Sequence, residues 1–294
     1  MAKFDYFEPT DLAEALSLLK NYGEEARVIA GGQSLLILIR QGLVRPQVLI
    51  SLHRIAALRR IEFSDGHIEI GAMVTQREIA ADDRICSRLP ALAQAASKVG
   101  SIHVQNLGTV GGNISHAEPN GDSAPALISL GGSVLAASER SQRTIPLDDF
   151  FRGPFENCLE PDEMVVRIRV PLPVNGASSV YVKHVQRAVD RATVGIGLQL
   201  QLNDAGVCED ARIGVGGAAP SPFRATGAEA RLKKEKISDA LVNAVAVEVS
   251  VMCDPLSDSH APAEYKRKMA GVFVKRAMRA LVSSRSAQIR DPNK

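Results

Sequence analysis

The residues best suited to hold an anionic ligand lie in two glycine-containing segments of this sequence. The first is Val28-Ile29-Ala30-Gly31-Gly32-Gln33-Ser34-Leu35, in which a β-type run stops at two glycines and an apolar helical segment follows. Glycine has no Cβ, so backbone N–H groups can approach an anion closely, and the start of a helix adds a favourable dipole. A plain strand-to-helix turn is the simpler interpretation of this segment alone.

The second segment is Gly108-Thr109-Val110-Gly111-Gly112-Asn113-Ile114-Ser115, which continues to Asp122. Thr109, Asn113 and Ser115 offer side-chain donors, and the Asp122 carboxylate either accepts from a ribose hydroxyl or caps a helix over 123–130. Residues 100–126 show little periodicity and many Gly, Asn and Ser, so we predict an ordered functional loop there. Two such turns, one for each half of a pyrophosphate, are what a dinucleotide extended across two subdomains requires.

Short elements must position these turns. The pattern predicts helices that start at Asp11, Leu35, Thr75 and Pro90, the first and third with a capping-box glutamate three residues after the cap. Strands are predicted at 27–30, 47–52, 66–71, 133–137 and 163–170. No G-x-G-x-x-G opens a β-α-β unit, so a doubly wound nucleotide-binding sheet is not expected.

A break at Pro171–Gly176 places a domain boundary near residue 174. Beyond it, strands at 179–185, 193–202 and 207–215 form a three-stranded antiparallel meander, and two or three helices follow between 224 and 283. The fold class is therefore α+β: a domain over 1–174 with subdomains of about 1–57 and 58–174, an α+β domain over 175–284, and a polar tail over 285–294.

Composition excludes several function classes. The formal net charge is +2, and Lys and Arg are scattered, so no basic stripe suits nucleic acid. No apolar run approaches the roughly 20 residues that span a bilayer, and no secretory h-region is present, so we expect a cytoplasmic protein. The four cysteines are too far apart for a metal or iron–sulfur site, and we expect reduced, partly buried thiols.

From about Phe4 to Met278 the sequence resembles the FAD-binding medium subunit of the molybdenum hydroxylases, the family of carbon monoxide dehydrogenase, xanthine dehydrogenase and bacterial N-heteroaromatic dehydrogenases. The resemblance rests on the two glycine segments and on further matches at Phe7-Glu8-Pro9, Asp149-Phe150-Phe151-Arg152-Gly153, Tyr181-Val182-Lys183, Gly216-Gly217, 220–225 and Tyr265-Lys266-Arg267. It implies a PCMH/VAO-like flavin fold, with a C-terminal domain that helps to cover the isoalloxazine.

The resemblance also implies residue roles. Val28–Leu35 and Thr109–Asn113 would hold the pyrophosphate, and Asp122 would contact the adenosine side or ribose. Ser101 would lie close to the flavin, Val165 would pack on an aromatic ring of the cofactor, and Lys183 would lie near the flavin's polar edge, where a cation stabilises the reduced form. The alternative interpretation of Lys183, without a role at the cofactor, is a surface lysine on an exposed strand face.

Two positions depart from the family pattern. Arg191 stands where relatives often carry an aromatic residue, and it either stacks on the flavin or faces water, so it is not counted in the site. His116 stands where a smaller residue is expected, and a solvated loop histidine is the simpler interpretation, with a hydrogen bond to the cofactor as the alternative.

The implied activity is that of an oxidoreductase subunit with no catalytic residue or metal of its own. A large partner with a molybdopterin cofactor would oxidise a substrate such as CO, a purine, an N-heteroaromatic or an aldehyde. A small [2Fe–2S] partner would relay the electrons, and FAD held here would pass them to an external acceptor; the assembly expected is a dimer of heterotrimers. The alternatives are a stand-alone FAD-dependent reductase and a cofactor-free structural subunit.

Overall fold

The computed structural model describes residues 4–174, 176–259 and 261–290, with side chains up to residue 283. Residues 1–3 lie outside the described residues. So do Asn175, in the predicted connection between the domains, and the last four residues of the predicted polar tail. Within the described residues, no helix is both long and apolar enough to cross a membrane.

The first subdomain is a small parallel sheet in the order β1-β3-β2, with two crossover helices. Asp11 caps the first helix by accepting from the Glu14 N–H, and Ala15, Leu16 and Leu19 are its buried face. The predicted strand, glycine turn and helix around residues 26–40 are present. The elements are β1 (Asp5–Phe7), α1 (Leu12–Tyr22), β2 (Ala26–Ile29), α2 (Leu35–Arg40) and β3 (Val48–Ser51).

The second subdomain packs helices on an antiparallel sheet in the order β4-β5-β10-β6-β7. The predicted capping box is present, because Thr75 accepts from the Glu78 N–H while the Glu78 carboxylate accepts from the Thr75 N–H. Its elements are β4 (Ile61–Ser64), β5 (His67–Gly71), α3 (Gln76–Ala81), α4 (Asp83–Arg88), α5 (Pro90–Ser97), α6 (Ile102–Leu107), α7 (Val110–His116), α8 (Ser123–Ser129), β6 (Ser133–Ala137), β7 (Gln142–Pro146), β8 (Phe151–Gly153), β9 (Glu156–Asn157) and β10 (Met164–Pro171).

The expectation of a loop over 100–126 was wrong, because α6, α7 and the start of α8 occupy most of it. Ser101 and Thr109 cap α6 and α7 through side-chain oxygens that accept from the backbone N–H groups of Val104 and Gly112. These helices are six or seven residues long, too short to display a helical repeat of apolar residues in the sequence. Their caps, rather than an amphipathic pattern, mark where they begin.

The C-terminal domain carries helices on an antiparallel sheet in the order β11-β12-β13-β14. The predicted meander is present, with a two-residue fourth strand at its edge. The last helix continues to Arg290, into the segment predicted as a polar tail. The elements are β11 (Ala177–His184), β12 (Val194–Leu202), β13 (Cys208–Gly216), β14 (Phe223–Arg224), α9 (Thr226–Leu232), α10 (Asp239–Met252) and α11 (Ala263–Arg290).

Glycines bring the two domains into close contact. A Cβ on Gly197 of β12 would lie 2.3 Å from the Pro125 carbonyl oxygen of α8, and one on Gly214 of β13 would lie 2.0 Å from it. Real Cβ atoms do not approach backbone this closely, so α8 can lie on the C-terminal sheet only where these strands lack side chains. The domain contact therefore fixes the position of α8 and of the loop before it.

We expect Gly111→Ala to destabilise the chain. Its Cβ would lie 2.5 Å from the Ala72 Cβ and 2.8 Å from the Ala72 carbonyl oxygen, so the α7 backbone would have to move. Overpacking of this kind costs about 1–3 kcal/mol, measurable as a lower free energy of unfolding in urea.

The matched control is Gly227→Ala in α9, where the nearest atoms to the new Cβ lie at 3.4 Å. Alanine is favoured over glycine within a helix, so this variant should be neutral or stabilised by up to about 1 kcal/mol. Equal effects of the two substitutions would contradict the packing argument.

Candidate functional site

A cleft of about 420 Å³ lies between the first and second subdomains. Both glycine segments line it, together with one residue of α3 and the start of β10. Of the predicted site residues, those in its wall are Val28, Ala30, Gly31, Gly32, Gln33, Ser34, Leu35, Thr109, Gly111, Gly112, Asn113 and Val165. Its volume is in the range typical of small-molecule sites.

The first glycine turn lines this cleft and contains backbone N–H groups that are not used within the described residues. The backbone N–H groups from Gly31 to Ser34 donate no hydrogen bond within the part of the chain that the structure describes. Gly32 has a φ of +70°, which glycine adopts without strain, and α2 begins directly after the turn. Four consecutive N–H groups in a turn form a concave donor site for an anionic oxygen.

The second glycine turn uses its backbone donors within the protein. Val110 and Gly111 donate to the carbonyl oxygens of Val74 at 2.9 Å and Ala72 at 3.0 Å. Gly112 and Asn113 donate to the side chain and carbonyl of Thr109, at 3.2 and 2.9 Å. The four N–H groups from Val110 to Asn113 are therefore used within the protein, and the turn contributes side chains and shape to the cleft.

Gly31 has a packing role as well. A Cβ there would lie 1.7 Å from the Leu107 carbonyl oxygen, so the first turn lies directly against the end of α6. The two glycine segments thus contact each other, and the absence of a side chain at Gly31 is required for that contact. Close backbone packing accounts for this glycine independently of any ligand.

The remaining predicted site residues do not line the cleft. Ile29 is at the end of β2, where its carbonyl accepts from the Leu52 N–H at 3.0 Å, and Val110 is fully buried in the core. Ser101 caps α6. Asp122 and Lys183 contact each other in the domain interface, with a distance of 2.9 Å between the Lys183 Nζ and the Asp122 Oδ2.

The structure contradicts the interpretation of Asp122 as a helix cap and that of Lys183 as a surface lysine. Asp122 makes no side-chain hydrogen bond at the start of α8, so it is not a helix cap. Its other oxygen accepts from the Tyr181 hydroxyl at 2.6 Å. The Lys183 side chain is 3% exposed and also donates to the Lys98 carbonyl at 2.8 Å, so it is not a surface lysine. The pair links the loop before α8 to strand β11 across the domain boundary.

Burial has the largest effect on the pKa values of Asp122, Tyr181 and the neighbouring Lys98. Desolvation raises the pKa of the Asp122 carboxyl, while the Lys183 ammonium and the Tyr181 hydroxyl act in the opposite direction. Desolvation also raises the pKa of the Tyr181 hydroxyl well above its usual value, and it lowers the pKa of Lys98, whose Nζ donates to the Tyr181 carbonyl at 3.1 Å. The cluster therefore places two lysines and one aspartate in the domain interface.

The loop over 117–122 is fixed by further contacts with the C-terminal domain. The Asn120 side chain donates to the Ala192 carbonyl at 2.6 Å, and Gly217 donates to the Pro119 carbonyl at 2.8 Å. Arg191 pairs with Glu118 at 2.5 Å and keeps an exposed side chain. The described contacts therefore support the interpretation in which Arg191 faces water, and they place it in an ion pair at the surface.

His116 is not a solvated loop residue. It is the last residue of α7, lines the cleft and is half-buried, with its ring 5.2 Å from that of Phe155. Phe155 and Ala117 both have positive φ, at 61° and 49°, and the Phe155 N–H donates to the Ala117 carbonyl. Such conformations cost non-glycine residues free energy, so the surrounding contacts hold both residues in place at the rim of the cleft.

The sequence reasoning missed Gln76 in the cleft wall. It is the first residue of α3, it is 1% exposed, and its Oε1 accepts from the Ser123 hydroxyl at 3.3 Å. The capping box at Thr75 and Glu78 predicts where α3 begins, but it gives no sign that the next side chain faces a cleft. Other lining residues that were not predicted include Arg27, Val99, Val104, Leu159, Glu163 and Met164.

The cysteines are all free, and they differ in exposure. Cys86 is exposed and Cys158 is half-buried, whereas burial raises the pKa of the Cys208 thiol to about 11 and that of Cys253 to about 12. In the described part of the chain, no group of His, Cys, Asp and Glu is arranged to hold a metal ion.

Comparisons with known proteins identify the family of this chain. Residues 2–173 match the family model of the FAD binding domain in molybdopterin dehydrogenase. The chain belongs to this family of FAD-binding subunits. Residues 179–281 match the CO dehydrogenase flavoprotein C-terminal domain.

Similar proteins include two medium chains of dehydrogenases. That of carbon monoxide dehydrogenase from Hydrogenophaga pseudoflava is 33% identical, with 95% of this chain and 96% of the relative aligned. That of glyceraldehyde dehydrogenase from Sulfolobus acidocaldarius is 31% identical, with 94% and 98% aligned. The predicted membership of the medium-subunit family is therefore confirmed.

Solved structures give the same result. One of the Hydrogenophaga pseudoflava carbon monoxide dehydrogenase, lacking the Mo-pyranopterin moiety of its molybdenum cofactor, has a TM-score of 0.92 at 34% identity, covering 95% of this chain and 96% of that one. Quinoline 2-oxidoreductase from Pseudomonas putida 86 has a TM-score of 0.87 at 29% identity, covering 93% and 95%. The α+β fold and FAD as the cofactor of this family's N-terminal domain are confirmed.

Lys183→Met should strongly lower the free energy of unfolding of this chain. It leaves the Asp122 carboxylate buried without its cation, which typically costs about 3–5 kcal/mol of unfolding free energy. Urea denaturation at pH 7 measures the loss. Lys20→Met is the matched control, because Lys20 pairs with Glu139 at the exposed surface. Its effect should stay below about 1 kcal/mol, and losses of the same size in both variants would argue against a buried pair.

The stability of the chain should depend on the protonation of His116. Burial lowers the pKa of His116 below 6.5, with the Glu118 carboxylate opposing it. As the pH falls through 6.5, the unfolded chain takes up a proton that the folded chain does not, so stability is lost towards acid. Because the ring is only half-buried, we expect up to about 1 kcal/mol between pH 7.5 and roughly 5.5.

His116→Gln should remove this part of the pH dependence, measured by urea denaturation at the two pH values. His103→Gln, which removes an exposed imidazole on α6, controls for the loss of one histidine. A His116→Gln variant that loses as much stability towards acid as the unsubstituted chain would refute the assignment.

Proposed function

We propose that this chain is the FAD-carrying electron-transfer subunit of a molybdenum-containing hydroxylase or dehydrogenase complex. It would receive electrons from a small [2Fe–2S] subunit, after a large molybdenum-cofactor subunit has oxidised the substrate. The observation that carries the proposal is the cleft wall, where four residues whose backbone N–H groups make no hydrogen bond among the described residues lie near a second glycine turn. The medium-chain relatives, matched over nearly their whole length, support the same conclusion.

The residues present fit FAD. The N–H groups of Gly31 to Ser34 would suit the anionic oxygens of the pyrophosphate, and Asn113 lines the same cleft. Val165, at the start of β10, offers an apolar surface to a ring of the cofactor. Ile29 and Val110 would hold the two turns in shape, and Ser101 would act near the flavin by fixing the start of α6.

Asp122 and Lys183 are proposed to act as a unit. Because each satisfies the other's charge in the domain interface, the pair would act on the cofactor site indirectly, by fixing the loop before α8 against strand β11. FAD supplies the redox chemistry when bound, and the chain would supply binding, orientation and charge. The cytoplasmic location and the dimer of heterotrimers stay predictions, as does the organic substrate of the complex.

The full chain, expressed alone and freed of cofactor, should bind about one FAD per chain. We expect a yellow protein with a flavin absorption spectrum, identified by chromatography of the released cofactor. The protein should be inert towards organic substrates until partner subunits are added, because the chemistry that oxidises them lies elsewhere. ADP should compete with FAD, since both carry the pyrophosphate that the first turn would bind.

Two other results would each favour a different function. Turnover of a small molecule by the lone chain would favour a stand-alone flavin reductase. A colourless chain that cannot be reconstituted with FAD would contradict the proposal and leave a structural subunit as the better description.

A further inference from the structure

Gln76 carries a buried hydrogen-bond donor without a partner. Its Nε2 is one of two side-chain nitrogen or oxygen atoms, in the part of the chain that the structure describes, that are buried without a hydrogen bond. The side chain is 1% exposed and belongs to the cleft wall. Because the Ser123 hydroxyl already donates to the Oε1 atom, the amide N–H end is the one left over.

An unsatisfied buried amide is costly, so its presence calls for an explanation. A buried donor that finds no acceptor typically costs about 1–3 kcal/mol, and most such groups in proteins are paired. Since Gln76 lines the cleft, an oxygen of a ligand bound there would accept from this N–H and relieve the cost.

The position of Gln76 indicates which part of the ligand it meets. Its backbone N–H donates to the Gly108 carbonyl, directly before the second glycine turn, and its side chain bonds Ser123, the neighbour of Asp122. It therefore lies between the second turn and the ion pair with Lys183. A donor in these surroundings suits an acceptor-rich group, and the pyrimidine edge and ribityl chain of flavin are rich in oxygen acceptors.

We propose that Gln76 positions the flavin half of the cofactor, by donating a hydrogen bond from Nε2 to a ribityl or ring-carbonyl oxygen. This inference rests on the proposed function, because it assumes that FAD occupies the cleft. It assigns Gln76 a binding role only. The hydroxyl of Ser123 would hold the amide in the required orientation.

The test compares the unsubstituted full chain with Gln76→Met, which keeps the length of the side chain but removes the amide. Cofactor-free protein is titrated with FAD, FMN and ADP, followed by calorimetry and by flavin absorbance. We expect FAD and FMN to bind about 3- to 10-fold more weakly, which corresponds to the loss of one hydrogen bond. The binding of ADP should be unchanged. The absorption bands of bound FAD should also shift.

The melting temperature of the unliganded Gln76→Met chain should change little, because the substitution removes a buried donor that has no partner among the described residues but also removes the acceptor of the Ser123 hydroxyl. Ser123→Ala is the matched control. It breaks the other hydrogen bond of the same amide but keeps the donor, so its FMN affinity should stay closer to that of the unsubstituted chain. If Gln76→Met does not fold, Gln76→Leu replaces it with the same expectations.

Three results would overturn the inference: unchanged FMN affinity in the Gln76 variant, an equal loss for FMN and ADP, or a loss for ADP alone. The second would indicate a structural role, and the third would place Gln76 beside the adenosine half. These results are distinct from a failure of the proposed function, in which the unsubstituted chain itself binds no FAD.

Discussion

The buried contact between Asp122 and Lys183 connects the cleft to the C-terminal domain, and the arrangement of the site depends on it. Removing two charges from water costs several kcal/mol per ion, so such a pair is tolerated only where both partners are held in good geometry. The Tyr181 hydroxyl and the Lys98 carbonyl provide that geometry. The loop that follows α7 therefore takes its position from a sheet in the other domain, and α7 is the helix that carries the second glycine turn.

Local features of the fold could be predicted from the sequence, and long-range ones could not. The caps at Asp11 and Thr75 involve neighbours three residues away, so the sequence shows both partners together. Asp122 instead meets Tyr181 and Lys183, which are 59 and 61 positions away, and its sequence neighbours suggested a helix cap or a ribose contact. The helices over 102–116 were missed because six or seven residues are too few to show a period.

The candidate site shows the same limit at a finer scale. The two glycine segments look equivalent as sequences, and both do line one cleft. Their hydrogen bonds separate them, because the N–H groups from Gly31 to Ser34 make no hydrogen bond among the described residues while those from Val110 to Asn113 are used within the protein. Whether a backbone donor is free depends on what the rest of the chain places beside it, as Val74 and Ala72 do for the second turn.

The close contacts at Gly31 and Gly111 bear on how this family should be traced through evolution. Each glycine is required by a neighbouring backbone or side chain, whatever the cleft contains. A descendant that had lost its flavin would still need both to fold, so selection would preserve the glycine signature long after the redox role had gone. Positions such as Gln76, whose buried Nε2 has no partner among the described residues, would drift sooner. The divergence of those positions, rather than the persistence of the glycines, would record the loss of the cofactor.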